Sequence, residues 1–332
     1  MLKYKRNIFL EDKKMANNFM WTYLIHLSTH MWGDEHSHVT SWFMNGYKET
    51  NDVDMEVWDK TVKFLADCQY NTLIIDVGDA IKYESHPEIS APDAWDKDFL
   101  KKKLDEIRAL GMTPIPKLNF SAGHDTWMKK YRRMLSTPEY YTFCADVIKE
   151  VCEAFGNPEY FHIGFDEEVV RKQTGHEIIM VRGDDLWWHD FNYICKECEK
   201  NGARPWIWSD YYWDHKELFL KNMSKDVLQS NWFYGEFKDY PTDHIYYTRI
   251  EAYEMLDKLG YDQVPTASSW QFLNNTYQTA AFCKERMNPD HLLGIMTAPW
   301  VFTTKDKQYC LMDDAYRLYY AREVFYPETL KK

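Results

Sequence analysis

The segment Phe161-His162-Ile163-Gly164-Phe165-Asp166-Glu167-Glu168 sets three adjacent carboxylates directly behind a short apolar run and a glycine. Crowded like charges raise the pKa of at least one carboxyl, which is what a general acid working near neutral pH requires. Side chains alternate along an extended strand, so a straight continuation aims Asp166 and Glu168 to the same side as His162 and Gly164. For Asp166 and Glu167 to converge instead, the backbone has to leave strand geometry between Gly164 and Phe165. The sequence leaves both pairings open, with Glu168 as the alternative acid. A salt-bridged structural cluster is the non-catalytic alternative.

Such acids need a scaffold that presents them together. The chain alternates short apolar strands, expected at 21–27, 72–76, 113–118, 160–164, 205–209, 227–232, 263–267 and 293–298, with longer amphipathic stretches. Helices are expected at 54–68, 97–110, 138–155, 184–201, 217–222, 248–259, 276–287 and 307–323. Thr137 before Pro138 reads as a helix cap, and Gly111, Gly202 and Gly260 read as helix stops. Eight β-then-α units with no break in composition specify an α/β chain folded as a (β/α)8 TIM barrel, with a doubly wound sheet as the structural alternative. The expected organisation is one domain over 1–332, with residues 1–20 as an N-terminal extension.

In such a barrel the active site lies at the carboxyl ends of the strands. Those ends here are polar and aromatic: Asp76 and Asp79 follow strand two, Lys117, Asn119 and His124 strand three, and Asp210 and Trp213 strand five. Trp232 and Tyr234 follow strand six, Trp270 strand seven and Trp300 strand eight. Any one of these tryptophans could simply pack the barrel rim. Their recurrence at successive strand ends favours a pocket of sugar size, because flat aromatic faces bury flat ligands.

Composition narrows the partners. The 332 residues are 45% hydrophobic, and a net charge of −12 argues against nucleic acid or anionic membrane as a partner. No apolar run is long enough for a membrane span, and no apolar core of a signal peptide follows the basic start. The seven cysteines are odd in number, and Cys195-Lys196-Glu197-Cys198 lacks a second pair at zinc-binding spacing. Reduced packing cysteines and a cytoplasmic location are expected, with no cofactor and no metal.

His162-Ile163-Gly164-Phe165-Asp166-Glu167 resembles the His-x-Gly-Gly-Asp-Glu motif of family 20 glycoside hydrolases, the β-N-acetylhexosaminidases, which also sits at the end of barrel strand four. The segment from Pro116 to His124 is similar to that family's strand-three segment ending in Gly-His. The resemblance implies an exo-acting, substrate-assisted retaining mechanism, in which the sugar's own 2-acetamido carbonyl attacks its anomeric carbon. Asp166 would orient the acetamido group, and Glu167 would be the general acid and then base. His124 and His162 would brace the acids beside Asn119, and Tyr234 would donate to the acetamido oxygen. Trp232, Trp270 and Trp300 would wall the pocket. The chain departs from the motif at Phe165, has no arginine on strand one, and ends strand eight Ala298-Pro299-Trp300 without the family's Trp-x-Glu. The small domain that usually precedes the family's barrel is not expected within residues 1–20.

Four other readings compete. A different sugar specificity follows if the missing anchors matter. A two-carboxylate retaining hydrolase needs a second acid about 5 Å away, for which Asp210, Asp214 or Glu236 would have to serve. A metal-dependent hydrolase could draw ligands from His30, Asp34, Glu35, His36 and His38. A carbohydrate-binding barrel with an inert site is the non-enzyme reading.

Overall fold

The computed structural model describes residues 19–33, 48–173 and 176–331. Its strands are β1 Met20–His26, β2 Thr72–Asp76, β3 Thr113–Lys117, β4 Tyr160–Gly164, β5 Arg204–Trp208, β6 Leu228–Ser230, β7 Thr266–Ala267 and β8 Gly294–Thr297. Between and after them run α1 Met55–Asp67, α2 Lys97–Ala109, α3 Pro138–Ala154, α4 Asp184–Lys200, α5 Lys216–Asn222, α6 Ile245–Lys258, α7 Asn275–Arg286 and α8 Gln308–Phe325. A single helical turn, Tyr211–Asp214, precedes α5.

All strands pair in parallel in the order β6-β5-β4-β3-β2-β1-β8-β7. Bridges Gln229↔Gln263 and Trp232↔Thr266 close the ring between β6 and β7. The fold is therefore a (β/α)8 barrel. β7 is shorter than the sequence pattern suggested because Pro265 has no N–H to give the ladder and contributes only its carbonyl, to Met296 N at 2.9 Å.

Capping follows local chemistry. Asp54 accepts from Glu56 N and Val57 N, Asp96 from Phe99 N, and Thr137 from Tyr140 N ahead of Pro138. Gly111, Gly202 and Gly260 follow their helices with φ of +85°, +79° and +75°. Leu24, Ile74, Ile115, Trp206, Leu228, Val264 and Met296 fill the barrel interior, while a larger apolar layer packs the strands on the helices. Cys195 and Cys198 are free thiols buried on α4.

Two features loosen the barrel next to the acids. Leu118 N and Phe120 N donate to His162 O and Ile163 O, so Pro114 and Pro116, of the same parity, occupy positions that would otherwise donate to β4. β3 and β4 accordingly share the single register pair Lys117↔His162. On the other side, the register of β4 with β5 shifts between His162 and Gly164, where Gly164 takes φ +73°.

A Cβ on Gly164 would lie 2.1 Å from Asn119 Oδ1, in a backbone conformation that side chains avoid. Gly164→Ala should destabilise the protein by about 2–4 kcal/mol in urea denaturation. A loss below about 0.5 kcal/mol would mean that the bend tolerates a side chain.

Candidate active site

The left-handed geometry continues past the strand: Phe165 has φ +66° and Glu167 φ +54°. Phe165, which stands where the motif has its second glycine, makes the bend without one. Its ring is buried edge-on against Trp187 and Phe191, each 5.3 Å away, with the Arg182 guanidinium 5.1 Å from its centroid. Apolar burial offsets the roughly 1–2 kcal/mol that such a conformation costs a side-chain-bearing residue.

Strand alternation is thereby broken, and the three carboxylates part company. Asp166 Oδ1 accepts from Asn119 Nδ2 at 2.8 Å, and Asp166 Oδ2 lies 3.5 Å from His124 Nε2. Glu167 Oε2 lies 3.6 Å from the same His124 nitrogen, and Glu167 Oε1 pairs with Lys172 Nζ at 2.9 Å. Glu168 turns away. Its Oε1 accepts from Arg182 Nε at 2.7 Å, its Oε2 pairs with Arg182 Nη2, and Ala122 N donates to Oε2 at 3.0 Å. With both oxygens engaged, Glu168 sits in a buried structural salt bridge, and Arg182 also reaches Asp190 and the Phe120 carbonyl.

Asp210, directly after β5, completes the acid cluster. Its Oδ2 accepts from Glu167 N at 2.7 Å and its Oδ1 from Trp232 Nε1 at 3.3 Å. Burial, then the nearby Asp166 charge, pushes the Asp210 carboxyl up to about 8. Burial also pushes Glu167 upward, but His124 at 3.6 Å and Lys172 at 2.9 Å outweigh it and hold that carboxyl at about 2. His124 is raised in turn, because Asp166 and Glu167 more than offset its burial. Neighbouring carboxyls pushed in opposite directions are typical of acid–base sites.

Beneath the acids, the last inward positions of β1, β2 and β3 carry His26, Asp76 and Lys117. Lys117 Nζ pairs with Asp76 Oδ2, and His26 Nδ1 lies 3.5 Å from the same oxygen. Aromatic rings wall the mouth. Trp300, itself at φ +53°, has its ring centroid 5.8 Å from Trp208, 6.2 Å from Tyr234 and 6.5 Å from Trp32. Trp232 stacks on Tyr234 at 5.1 Å. Around this cup His26, Asp76 Oδ1, His124, His162 Nε2, Trp208 Nε1 and Trp300 Nε1 are buried without a hydrogen-bond partner in the protein. Buried polar groups are normally bonded, so this concentration marks a place for a ligand rich in donors and acceptors.

The structure thus gathers Asp166, Glu167, His124, Asn119, Trp232, Tyr234 and Trp300 around one mouth. His162 corrects its sequence reading. Its Nδ1 accepts from Gly164 N at 3.2 Å and its ring packs 4.4 Å from Trp208, so it supports the bend and does not bond the acids. Trp270 stands 39% exposed on the loop after β7. His30 is a tether: Nδ1 meets Asp79 at 2.6 Å and Nε2 the Lys48 carbonyl at 2.6 Å. Asp34, Glu35, His36 and His38 lie outside the described residues. Among the described residues, the donor atoms that could hold a cation are those of His124, Asp166 and Glu167, which lie within 4.8 Å of one another.

Sequence reasoning missed His26, Lys172, Arg182 and Trp208. His26 and Trp208 could have been found by parity, since they share the inward face of Leu24 and Trp206; Lys172 and Arg182 carry no local signal. Beyond Glu167 opens a cleft of about 420 Å³ that also touches Lys172, Asp210, Trp213 and Arg249.

No family model matches the chain, and no curated protein matches it in sequence. Solved structures resemble it in fold. It superposes over 94% of its length on the family 20 exo-β-N-acetylglucosaminidase of Vibrio harveyi in complex with N-acetylglucosamine (TM-score 0.59, 14% identity), spanning 57% of that chain. A mutant Streptomyces plicatus β-hexosaminidase bound to its product N-acetylglucosamine aligns over 94% of this chain and 69% of its own (TM-score 0.62, 12% identity). Dispersin B aligns over 91% of this chain and 98% of its own (TM-score 0.57, 15% identity). At these identities the likeness is one of fold.

Asp210, at about 8, keeps its proton in the folded chain where the unfolded chain has lost it. The folded state then binds more protons between about pH 4 and 8, and this group's contribution to stability falls as pH rises through that window. The stability difference between wild type and Asp210→Asn should therefore shift against wild type by about 1 kcal/mol per pH unit between pH 5 and 8, read by urea denaturation. A difference independent of pH would show that folded Asp210 is ionised throughout.

Proposed function

We propose that this protein is a glycoside hydrolase that removes a terminal β-linked N-acetylhexosamine by substrate-assisted catalysis with retention. The observation that carries the reading is the placement of Asp166 and Glu167 on one His124 nitrogen, at 3.5 and 3.6 Å, in the mouth of the aromatic cup. The strand-four motif and the fold likeness support the same reading.

The roles follow from position. The sugar ring sits against Trp300 and the Trp232–Tyr234 stack, and Asp166, steadied by Asn119, orients the 2-acetamido group. Its carbonyl oxygen attacks the anomeric carbon as the glycosidic bond breaks, and Glu167 delivers a proton to the departing oxygen. Glu167 then takes a proton from the water that opens the cyclic intermediate. In this cycle Glu167 must gain a proton that His124 and Lys172 disfavour in the free site. Lys172 is 45% exposed, so a leaving group entering the cleft can displace it and desolvate the carboxyl, which raises its pKa.

The depressed Glu167 specifically favours one second reading, a sugar-binding barrel without turnover. Both readings meet in one assay. Wild type should hydrolyse a chromogenic N-acetyl-β-glucosaminide or galactosaminide, and Glu167→Gln and Asp166→Asn should each lose about 10²-fold or more. Glycan binding without turnover, unchanged by Glu167→Gln, would support the binding barrel instead. Abolition by Glu168→Gln with Glu167→Gln fully active would refute the assignment of the acid.

Lys172→Met removes one cation that lowers Glu167, so the acid stays protonated to higher pH. The alkaline limb of kcat/KM should move upward. An unmoved limb would exclude Lys172 as a control on the acid.

A further inference from the structure

The Glu167 carboxyl stands between two spaces. Its Oε2 faces His124 and Asp166 in the aromatic cup, and its Oε1 faces Lys172 at the edge of the cleft. The cleft is lined by Glu167, Asp210, Trp213 and Arg249, and neither Asp166 nor Trp300 contributes to it. An acid that protonates a glycosidic oxygen lies between the sugar being released and the group it leaves. The cup takes the first, so the cleft is placed for the second.

The cations of this cleft differ in how they are satisfied. Arg182 is bound to Glu168, Lys172 to Glu167, and Arg171 lies 4.0 Å from Asp214. Among the described residues, Arg249 has no carboxylate within ion-pair distance. Its guanidinium lies instead over aromatic faces, 4.6 Å from the Trp213 centroid, 5.5 Å from Trp232 and 5.6 Å from Tyr246. Its Nε is buried without a hydrogen-bond partner. Cation–π contact fixes the plane of the guanidinium but leaves its in-plane N–H fork unbonded, and that fork matches a carboxylate or sulfate.

The acids nearby do not bond it, although the charges of Glu167 and Asp210 reach it. Asp184 and Asp214 are more than half exposed and have His215 and Arg171 as partners. Asp210, on the inner wall, is held in its protonated form up to about 8 by burial and by Asp166. Trp213, which also lines the cleft, backs the Arg249 guanidinium at the cleft wall.

We propose that the cleft is a leaving-group subsite for a sugar carrying an anionic substituent, a carboxylate or a sulfate, with Arg249 as its counter-ion. The proposal rests on the glycoside hydrolase reading for the direction of the cleft; the charge recognition rests on Arg249 itself.

The test compares kcat/KM for three disaccharides in which N-acetyl-β-glucosamine is linked to glucuronic acid, to a 6-sulfated hexose or to the neutral hexose. Wild type should favour at least one acidic disaccharide over the neutral one by about tenfold, as expected for a charge-assisted pair. The arm that shows the preference identifies carboxylate or sulfate. Arg249→Gln should abolish the ratio, Arg249→Lys should retain part of it, and added salt should lower it in wild type. Thermal melts establish that each variant is folded. Calorimetric binding of the same disaccharides to Glu167→Gln, with and without Arg249→Gln, gives a readout independent of turnover. Arg249-dependent preference in binding with no hydrolysis by wild type would overturn the hydrolase reading and keep the subsite. Hydrolysis with no acidic preference, or a preference that survives Arg249→Gln, would overturn the subsite and keep the hydrolase.

Discussion

The left-handed turn at Gly164 and Phe165 is the constraint on which the site depends. Three consecutive acids on a regular strand would alternate, leaving Glu167 on the opposite face from its neighbours. Positive φ at Gly164, Phe165 and Glu167 instead sends two of them to His124 and the third to Arg182. Each non-glycine residue there carries a conformational cost, and the surroundings must over-determine the geometry. They do so through Asn119 Oδ1, which accepts from Phe165 N and Ser121 N, through burial of the Phe165 ring, and through Arg182, which ties the β4 loop to Asp190 and the Phe120 carbonyl. The loosened β3–β4 pairing leaves room for the shift in register beside it.

The same turn sorts the charges. Sequestering Glu168 against Arg182 removes one negative charge from the mouth, and the remaining carboxyls fall into unlike environments. Glu167 faces His124 and Lys172, while Asp210 is enclosed beside Asp166 and receives only N–H donors. The result is one carboxyl held ionised and one held protonated within a single cluster. Electrostatic asymmetry of this kind comes from placing like groups on different strands, and no composition statistic reports it.

Most of the scaffold was legible. Apolar runs bounded by Gly and Asp, and helices with caps and stops, gave the strand–helix alternation to within a few residues, because each barrel unit is specified locally. The shortening at β7 traces to a proline whose effect is also local. The site was legible where it lies in contiguous sequence, as for Asp166, Glu167, Asn119 and His124. It was not where the deciding partner is distant: Arg182 settles the fate of Glu168 from 14 residues away. The departure from the motif at Phe165 has a related reason. Glycine is the usual answer to a positive φ, and a phenylalanine meets that demand only because Trp187 and Phe191 from α4 cover it.

The division of labour among the strands bears on how such a site can change. The acids and their modulators sit on the β3 and β4 loops and after β5, held by Asn119, Arg182 and the bend. The polar floor and most of the aromatic wall sit on β1, β2, the end of β3, β5 and β8, through His26, Asp76, Lys117, Trp208 and Trp300. On β1 this chain has His26 and no arginine, and after β8 it has Trp300 and no acid. Around these strand ends stand buried His, Asp and indole atoms without hydrogen-bond partners in the protein. Few residues belong to both sets, so the gripping groups can be exchanged while the geometry of the acids is kept. In such a barrel the bend fixes where the acids stand, and the strand ends around it fix what lies against them.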